Sequence, residues 1–469
     1  MHCLVIAVPY FPHGGAGKRA FEVLKYFTEI NFIPILYIPY SDLLFLMVLE
    51  ELYKLERVDK ILKELEHFNV IIPNEIYECI DDIRPNIQHH LDLIRSKHVY
   101  GLFLNFKKPI QESKYNIIYA KKFLAEYIKS KDIPLDKLEF IYSMHEIPSS
   151  VITGAFLAKS LKRRLYILLQ LEPFKPLKDL VIDDWRFRVM LGRRHISREI
   201  VRLLFLILKS VLISSRYSYS YAFYNKVLSG LLAVSEAPLI ISGLDSWASE
   251  RNINVKIVRP GNAVEESFSV YADEKERCQL FHKKEDVAIY YARLHSSKGL
   301  FDIPPIAKKL ASEGYRLVIV GDFVNAVEKN IFFRLCKEQG IKNIEYLNWL
   351  PREDLLDIVS RSKVLIYPSH LDSFSLVVLE ALFLGCSVVA YDIPAIRSIY
   401  KDLKPVRIVR EYDYRKMAGE AIKILKRDID EHEEEHLDKD FMNFLKIHSS
   451  WRNVAKADIE AIEGMIHRS

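Results

Sequence analysis

The chain has 469 residues, of which 50% are apolar and 28% are charged. At about 150 residues per domain, this length allows two or three domains with substantial cores. The balanced composition excludes a disordered, collagen-like or disulfide-stapled chain. The formal net charge is only +5, too small for the overall basic field of a nucleic-acid-binding protein, so no nucleic-acid partner is expected.

Cysteine usage indicates a reducing compartment. The five cysteines are scattered, odd in number and never at metal-ligand spacing from one another. The first residues lack the charged region of a signal peptide, and no run approaches the roughly 20 apolar residues of a membrane span. We therefore expect a cytoplasmic protein without a membrane-spanning helix.

Short apolar runs alternate with helical patterns along the whole chain. In chain order, strands are predicted at residues 2–8, 32–37, 116–119, 138–143, 165–170, 231–234, 287–291, 316–320, 343–347, 363–367, 387–391 and 406–409. The clearest helical patterns lie at residues 18–29, 303–311, 326–338, 354–360 and 375–383. Strands that alternate with helices predict parallel sheets covered on both faces, and hence an α/β fold.

The strand pattern is interrupted once, near the middle of the chain. Residues 1–258 predict one Rossmann-like domain, and a turn containing proline and glycine then opens a polar linker, 259–285. Residues 286–448 predict a second Rossmann-like domain. A last amphipathic helix, 449–469, begins after a serine pair that can supply its N-cap.

A Gly-rich turn follows the first strand. Gly14 and Gly15 lie between this strand and a helix, where exposed backbone N–H groups form a generic site for a phosphate or a sugar hydroxyl. A P-loop is excluded because Pro12 and Arg19 stand where that motif needs Gly and Ser or Thr. A tight turn without a ligand is the alternative interpretation.

Two cations, Arg293 and Lys298, follow the predicted strand at 287–291. Open parallel sheets bind their ligands at the carboxyl ends of the strands. A planar guanidinium and a mobile ammonium together suit a diphosphate. When the pair is taken alone, solvated loop charges are the alternative.

Two acids, Asp372 and Glu380, flank the predicted start of the helix at 375–383. An anion placed there would meet the helix N–H groups, while the two carboxylates would accept hydrogen bonds from sugar and ribose hydroxyls. Glu380 lies in an otherwise apolar stretch, where burial without partners is costly. A partly exposed or paired helix residue is the alternative.

These segments together resemble glycosyltransferase family 4, the GT-B enzymes that transfer a sugar from a nucleotide sugar. The family signature Glu-Gly-Phe-Gly-Leu-x-x-x-Glu-Ala is similar to residues 372–381, which read Asp-Ser-Phe-Ser-Leu-Val-Val-Leu-Glu-Ala. The Arg and Lys of the family's phosphate-binding loop match Arg293 and Lys298. The family's N-terminal Pro-Tyr-Phe-Pro-x-x-Gly-Gly pattern is similar to residues 9–15, which have one residue rather than two between the second proline and the glycine pair.

The resemblance implies roles for individual residues. His145 and Glu146 lie in the segment Ser-Met-His-Glu-Ile-Pro, which resembles the His-Glu-Pro-type loop of lipid-acceptor members, in which the His lies near the reacting sugar. Asp372 and Glu380 would hold donor hydroxyls and, with His145, are the catalytic residues that the resemblance implies. The substrate-binding residues that it implies are Gly14, Gly15, Glu146, Arg293, Lys298, Ser373, Phe374, Ser375 and Leu376.

The resemblance also implies an architecture and a reaction. Two parallel sheets face each other across a cleft, and the last helix packs back on the N-terminal domain. That domain binds the acceptor, a lipid-linked molecule or a glycan at the cytoplasmic membrane face, and the C-terminal domain binds the nucleotide sugar. Transfer retains the anomeric configuration and uses no cofactor or dedicated metal, because positive groups and a helix N-terminus stabilise the departing diphosphate.

Three departures from the family pattern bear on the donor. The first acid is Asp372 rather than Glu, and Ser373 and Ser375 replace the two glycines of the signature. Side chains at these two positions would restrict a close approach of the backbone to a phosphate. Gln170 stands where many members have a second His.

A basic and apolar segment, residues 186–216, bears on the acceptor. It contains eight Lys or Arg residues and a single acid, Glu199, around a dense set of apolar residues. Basic groups beside a hydrophobic stripe suit an anionic membrane surface, which would make the protein a peripheral one on the inner face of the membrane. A buried core helix with arginines at its rim is the alternative, and both interpretations stay open.

Other functions compete with sugar transfer. Ser373 and Ser375 would allow a GT-B protein that binds a nucleotide sugar as a non-catalytic partner. The loose spacing of Gly15, Gly17 and Ala20 would allow a Rossmann-type oxidoreductase. Glycan phosphorolysis would need a pyridoxal-bearing lysine, and the sequence offers no recognisable context for one.

Overall fold

A computed structural model of the chain describes residues 1–8, 15–54, 57–88, 108–130, 137–173 and 216–467. Two parallel six-stranded sheets confirm the predicted α/β, GT-B architecture. The first sheet contains β1 (His2–Ile6), β2 (Ile33–Tyr37), β3 (Leu138–Ser143), β4 (Arg164–Leu169), β5 (Leu228–Ala233) and β6 (Asn254–Ile257). The second contains β7 (Glu285–Tyr291), β8 (Leu317–Val320), β9 (Ile344–Leu347), β10 (Ser362–Tyr367), β11 (Ser387–Tyr391) and β12 (Val406–Val409).

Helices connect the strands. Those of the first part are α1 (Gly15–Tyr26), α2 (Tyr40–Tyr53), α3 (Val58–His67), α4 (Asn74–Ile83), α5 (Lys108–Ser130), α6 (Pro148–Leu161), α7 (Arg216–Tyr224), α8 (Ala237–Ser242) and α9 (Leu244–Ser249). Those of the second part are α10 (Glu274–Phe281), α11 (Ile303–Ala311), α12 (Ala326–Glu338), α13 (Arg352–Arg361), α14 (Leu376–Phe383), α15 (Pro394–Tyr400), α16 (Tyr414–Leu425), α17 (Ile429–His436), α18 (Lys439–His448) and α19 (Trp451–Ile466). Within the described residues, no helix is both long and apolar enough to cross a membrane.

The predicted strand at 116–119 is wrong. These residues lie inside α5, whose buried side chains Asn116, Ala120 and Phe123 recur at the spacing of one helix face. The run of Ile117, Ile118 and Tyr119 suggested a strand by its β-branched and aromatic content. A short apolar run does not distinguish a strand from part of a long helix, and here the helical period decides.

The order of the strands places two loops of each sheet side by side. The first sheet has the order β2-β1-β3-β4-β5-β6, so the chain reverses its direction of winding between β1 and β3. The second sheet has the order β12-β11-β10-β7-β8-β9 and reverses between β7 and β10. Such a reversal leaves a crevice outside the carboxyl ends of the two strands, which is where open α/β sheets bind ligands.

A buried ion pair joins the last helix to the first. The guanidinium of Arg19, on α1, donates to both carboxylate oxygens of Asp458, on α19, at 2.6 and 3.0 Å. Both side chains are fully buried. Arg19 also donates to the carbonyl of Gly261 at 2.8 Å, and the hydroxyl of Tyr142 donates to Asp458 at 2.9 Å. One guanidinium therefore holds together α1, α19 and the segment that follows the first sheet.

Candidate active site

The two loops at the reversal point of the second sheet are held against each other by Lys298. Its ammonium donates to the carboxylate of Asp372 at 2.8 Å and to the carbonyl of Leu371 at 3.0 Å. The next residue, Gly299, has φ of +75°, and a Cβ there would lie 2.0 Å from the carbonyl oxygen of Pro368. Glycine at 299 therefore permits the close approach that brings the sequence-predicted cation and acid together.

Asp372 organises the loop that precedes α14. One carboxylate oxygen accepts hydrogen bonds from the backbone N–H groups of Ser373 and Ser375, at 2.8 and 3.1 Å. The other accepts from Lys298 and from the hydroxyl of Tyr367. Burial raises the pKa of Asp372, but the ammonium and these hydrogen bonds outweigh it and hold the pKa below its usual value. Asp372 is thus an ionised carboxylate whose position is set from both loops.

The serines of the motif have different structural consequences. Ser375 precedes α14 with φ of +72°, a left-handed conformation that costs a non-glycine residue about 1 kcal/mol or more. This is the position at which the family signature has its second glycine. Ser373 instead forms hydrogen bonds with residues of the opposite domain. Phe374 is buried between the two serines, and its ring lies against Tyr400 and His448.

Glu380 lies on α14 and is paired. Its two carboxylate oxygens accept from the guanidinium of Arg352, on α13, at 2.5 and 3.1 Å. The Glu380 side chain is 12% exposed. Burying the Glu380 carboxylate in an apolar stretch costs free energy. The bidentate ion pair with Arg352 offsets this cost.

The structure describes only some of the remaining residues that the resemblance assigns to substrate binding. Arg293 is exposed, and within the described residues its guanidinium has no ion pair. Leu376 begins α14, whose first turn leaves N–H groups without an intrahelical acceptor. Gly15 is the first residue of α1, whereas Gly14 lies outside the described residues. The segment 186–216 also lies outside them, apart from Arg216 at the start of α7.

His145 follows β3 at the reversal point of the first sheet. The residue is 5% exposed, and its Nε2 lies 3.3 Å from the carbonyl oxygen of Val8. A carbonyl only accepts, so Nε2 carries the ring proton and Nδ1 is left as an acceptor. Burial lowers the pKa of His145 to about 4, which makes the imidazole neutral.

Glu146 is a buried carboxyl beside His145. The backbone N–H of Gln170, at the end of β4, donates to its carboxylate at 3.1 Å. The hydroxyl of Tyr219 donates to its backbone carbonyl at 3.1 Å, and the amide of Gln170 donates to Met144 at 2.7 Å. Burial raises the pKa of Glu146 to about 7, against the opposing effect of the backbone N–H groups.

The two domains meet at Ser373. Its hydroxyl donates to the carboxylate of Glu172 at 3.4 Å, and its carbonyl accepts a hydrogen bond from Ser235. Glu172 and Ser235 follow β4 and β5 of the first sheet, so the motif at residues 372–381 contacts the opposite domain directly. Sequence reasoning missed both residues, although their places after predicted strands were a signal that could have found them.

A protonated histidine stabilises the loop after β10. His370 lies 2.8 Å from a carboxylate oxygen of Glu411 and 3.2 Å from one of Asp302, and its ring stacks on Tyr412. It also lies beside the ring of Tyr391. Burial lowers the pKa of His370, but the hydrogen bonds to the two carboxylates outweigh it and raise the pKa to about 9.

The contribution of His370 to stability should therefore fall between pH 6.5 and 9. A folded-state pKa above the unfolded value of 6.5 stabilises the protein fully below pH 6.5, and this contribution is lost as the pH rises through 9. A rise of the His370 pKa from 6.5 to about 9 corresponds to roughly 3 kcal/mol. We expect the free-energy difference between wild type and His370→Gln, measured by urea unfolding, to shrink by that amount across this range.

Other groups titrate in the same window, but they are common to both proteins. Burial lowers the pKa of Lys284 to about 8, for example, and its contribution cancels in the difference between wild type and His370→Gln. A difference that stays constant from pH 6 to pH 10 would contradict the assignment of a protonated histidine at this position.

Comparison with known proteins identifies a family model that matches the second part of the chain. Residues 272–439 match the model of the family described as "Glycosyl transferases group 1". A curated protein of Klebsiella pneumoniae, described as an uncharacterized 41.2 kDa protein in the cps region, is 27% identical over 121 residues. The match covers 26% of this chain and 32% of that protein, so it spans about a third of the relative's length.

Solved structures match over the full length. A glycosyltransferase from Rickettsia africae has a TM-score of 0.58 at 13% identity, covering 100% of this chain and 99% of that one. The Anabaena protein HepE in complex with UDP has a TM-score of 0.59 at 11% identity, covering 99% and 100%. Likeness at such identities establishes the fold, and the matched family covers the second sheet with its cation and acid loops. Residues 272–439 therefore match the group 1 glycosyl transferases, and the chain as a whole shares the GT-B fold of these solved structures.

Proposed function

We propose that this protein is a retaining glycosyltransferase that moves a sugar from a nucleotide-diphosphate sugar to a lipid-linked or glycan acceptor. The observation that carries the proposal is the contact between Lys298, Asp372 and the loop before α14. This cation and helix N-terminus lie at the reversal point of the second sheet, and the adjacent Ser373 contacts residues after the strands of the first. Groups suited to a diphosphate thus lie beside the domain boundary, where an acceptor bound by the other domain would meet the sugar.

Each donor-side residue has a role in this proposal. Lys298 and Arg293 bind the diphosphate, together with the N–H groups at the start of α14. Glu380 accepts hydrogen bonds from the ribose, and Asp372 faces the donor sugar while it orients the loop. As the bond to the diphosphate breaks, the sugar becomes oxocarbenium-like, and each preorganised positive group is worth about 3 kcal/mol in stabilising the departing oxygen.

The N-terminal side is proposed to bind the acceptor. This domain comprises residues 1–258 with the C-terminal helix 449–469, and the nucleotide sugar belongs to residues 286–448. His145 lies beside the reacting carbon as a neutral imidazole, and Glu146 lines the acceptor side. Gly14 and Gly15 line the donor side of the cleft.

A uridine diphosphate sugar is the donor that we propose first. HepE, whose fold this chain shares, has been crystallised with UDP and with UDP-glucose. The basic segment 186–216 would hold the protein at the inner face of the cytoplasmic membrane, where lipid-linked acceptors are found. The reaction is proposed to need no cofactor and no dedicated metal ion.

A thermal-shift panel tests the donor site. Wild type, Glu380→Ala and the exposed control Glu338→Ala are heated with UDP-, GDP- and ADP-sugars. A ligand that binds only the folded state stabilises it by about 2.7 kcal/mol at 100 times its Kd, so one nucleotide sugar should raise the melting temperature of wild type and of the control. Glu380→Ala should show no such rise. A folded wild type that no nucleotide sugar stabilises would contradict the proposal.

One observation favours a second candidate, a nucleotide-sugar-binding protein without transfer activity. Both acids of the motif are already engaged within the protein, Asp372 with Lys298 and Glu380 with Arg352. Transfer to an acceptor, or slow hydrolysis of the donor, by the purified protein would eliminate this candidate. Stabilisation by a nucleotide sugar without either reaction would favour it.

A further inference from the structure

Four alternating charges connect the first domain to the helix of the donor motif. Lys18, on α1, pairs with Glu265, in the segment between the sheets. Glu265 lies 3.4 Å from the guanidinium of Arg352, which in turn pairs with Glu380. The chain of contacts therefore runs from α1 to α14 without interruption.

Arg352 is held on several sides. Its guanidinium lies over the ring of Phe268, 5.5 Å from the ring centre, and the side chain is 37% exposed. The terminal nitrogens contact Glu380 and Glu265, whereas Nε is buried with no hydrogen-bond partner among the described residues. A side chain restrained by a ring and two carboxylates holds its own partner in one orientation.

The pairing leaves acceptor positions on Glu380 that no other described residue occupies. An ionised carboxylate offers about four acceptor positions on its two oxygens. The guanidinium of Arg352 occupies one on each oxygen, at 2.5 and 3.1 Å, so each oxygen retains a second position. A pair of adjacent hydroxyls, such as those of a ribose, matches two acceptors fixed in one plane.

We propose that Arg352 is a positioning residue for the donor: it fixes the carboxylate of Glu380 to receive the two ribose hydroxyls, and Glu265 fixes Arg352 in turn. This inference rests on the proposed function, since it needs a nucleotide at Glu380. Because Lys18 binds Glu265, nucleotide affinity also depends on a contact made by the first domain.

Nucleotide titration of matched variants tests the proposal. Wild type, Arg352→Gln, Arg352→Lys and the exposed control Lys416→Gln are titrated calorimetrically with UDP, GDP and ADP. The titrations are then repeated with the 2′,3′-dideoxy form of whichever nucleotide binds most tightly. Since hydrogen bonds to charged groups are worth about 1.5–3 kcal/mol, we expect Arg352→Gln to raise the Kd by roughly 10-fold or more. Arg352→Lys should recover part of the loss, and Lys416→Gln should bind as wild type does.

The dideoxy nucleotide separates positioning from a general structural role. It lacks the hydroxyls that Glu380 is proposed to bind, so wild type and Arg352→Gln should bind it equally weakly. In steady-state kinetics of transfer or of donor hydrolysis, the donor KM of Arg352→Gln should rise by a similar factor. Its kcat should change by less than about threefold, because Glu380 binds the ribose equally well in the ground state and in the transition state. A loss of equal size for both nucleotides would overturn the inference.

Two further outcomes keep the inference distinct from the function on which it rests. Wild type that binds a nucleotide, with Arg352→Gln binding it equally well or more tightly, would overturn the inference and leave the proposed function intact. Wild type that binds none of the three would overturn both. If Arg352→Gln does not fold, Glu265→Gln replaces it, with an expected rise in Kd of about threefold for the ribose form alone.

Discussion

Replacement of Arg19 by Met is expected to lower the free energy of unfolding by about 3–5 kcal/mol. The substitution keeps an apolar stem of similar length but leaves the carboxylate of Asp458 fully buried without its cation. It also leaves the carbonyl of Gly261 without the donor that it has at 2.8 Å. Urea unfolding followed by circular dichroism measures the loss.

The same two helices offer a matched control. Arg452, also on α19, pairs with Glu29 just beyond α1, but these side chains are 59% and 49% exposed. Because exposed pairs contribute little, Arg452→Met should cost less than about 1 kcal/mol. Equal losses for Arg19→Met and Arg452→Met would contradict the importance assigned to the buried pair.

A double variant separates the net contribution of the ion pair from the cost of leaving Asp458 buried without its cation. Arg19→Met combined with Asp458→Leu removes both charges, and buried pairs replaced by apolar residues are often close to neutral in stability. We expect the double variant to recover at least half of the loss caused by Arg19→Met alone. Tyr142, whose hydroxyl donates to Asp458, loses its acceptor in the double variant, so recovery should remain incomplete.

Much of the fold could be predicted because its strands are short apolar runs. Every residue of β10 and β11 is buried, and such continuous runs are typical of parallel sheets. The predicted strands placed Lys298 and Asp372 at the carboxyl edge of a sheet, since each residue follows such a strand. Their contact at 2.8 Å depends on the order of the strands, which periodicity does not reveal. The family resemblance implied that both residues bind the donor, but it did not predict this contact.

Contacts between segments distant in the chain could not be predicted from the sequence. Ser373 and Glu172 are 201 positions apart, and neither residue type is by itself a signal for an interdomain hydrogen bond. Arg352 lies two residues before the helix predicted at 354–360, and no sequence signal marks it as a partner of Glu380. The strand wrongly predicted at 116–119 shows the same limit at short range, because the helical face of α5 becomes evident only over several turns.

Loss of the Lys298 ammonium should have the largest effect on activity. We expect Lys298→Met to lower kcat/KM for the nucleotide sugar by roughly 100- to 1000-fold, the cost typical of removing one preorganised group that stabilises a departing anion. Lys298 is only part-buried and its stem is retained, so the variant should still fold. Steady-state kinetics of transfer, or of donor hydrolysis, measures the change.

Two comparisons decide whether the charge itself acts on the diphosphate. Lys298→Arg keeps a cation near Asp372 and should recover at least tenfold of the lost activity, less than fully because a guanidinium fork is not a point charge. Lys308→Gln, an exposed control on α11, should leave kcat/KM unchanged. If Lys298→Met instead retained kcat/KM within about threefold of wild type, the ammonium would serve only to orient Asp372, and the departing diphosphate would have to be stabilised by Arg293 and the N–H groups of α14 alone.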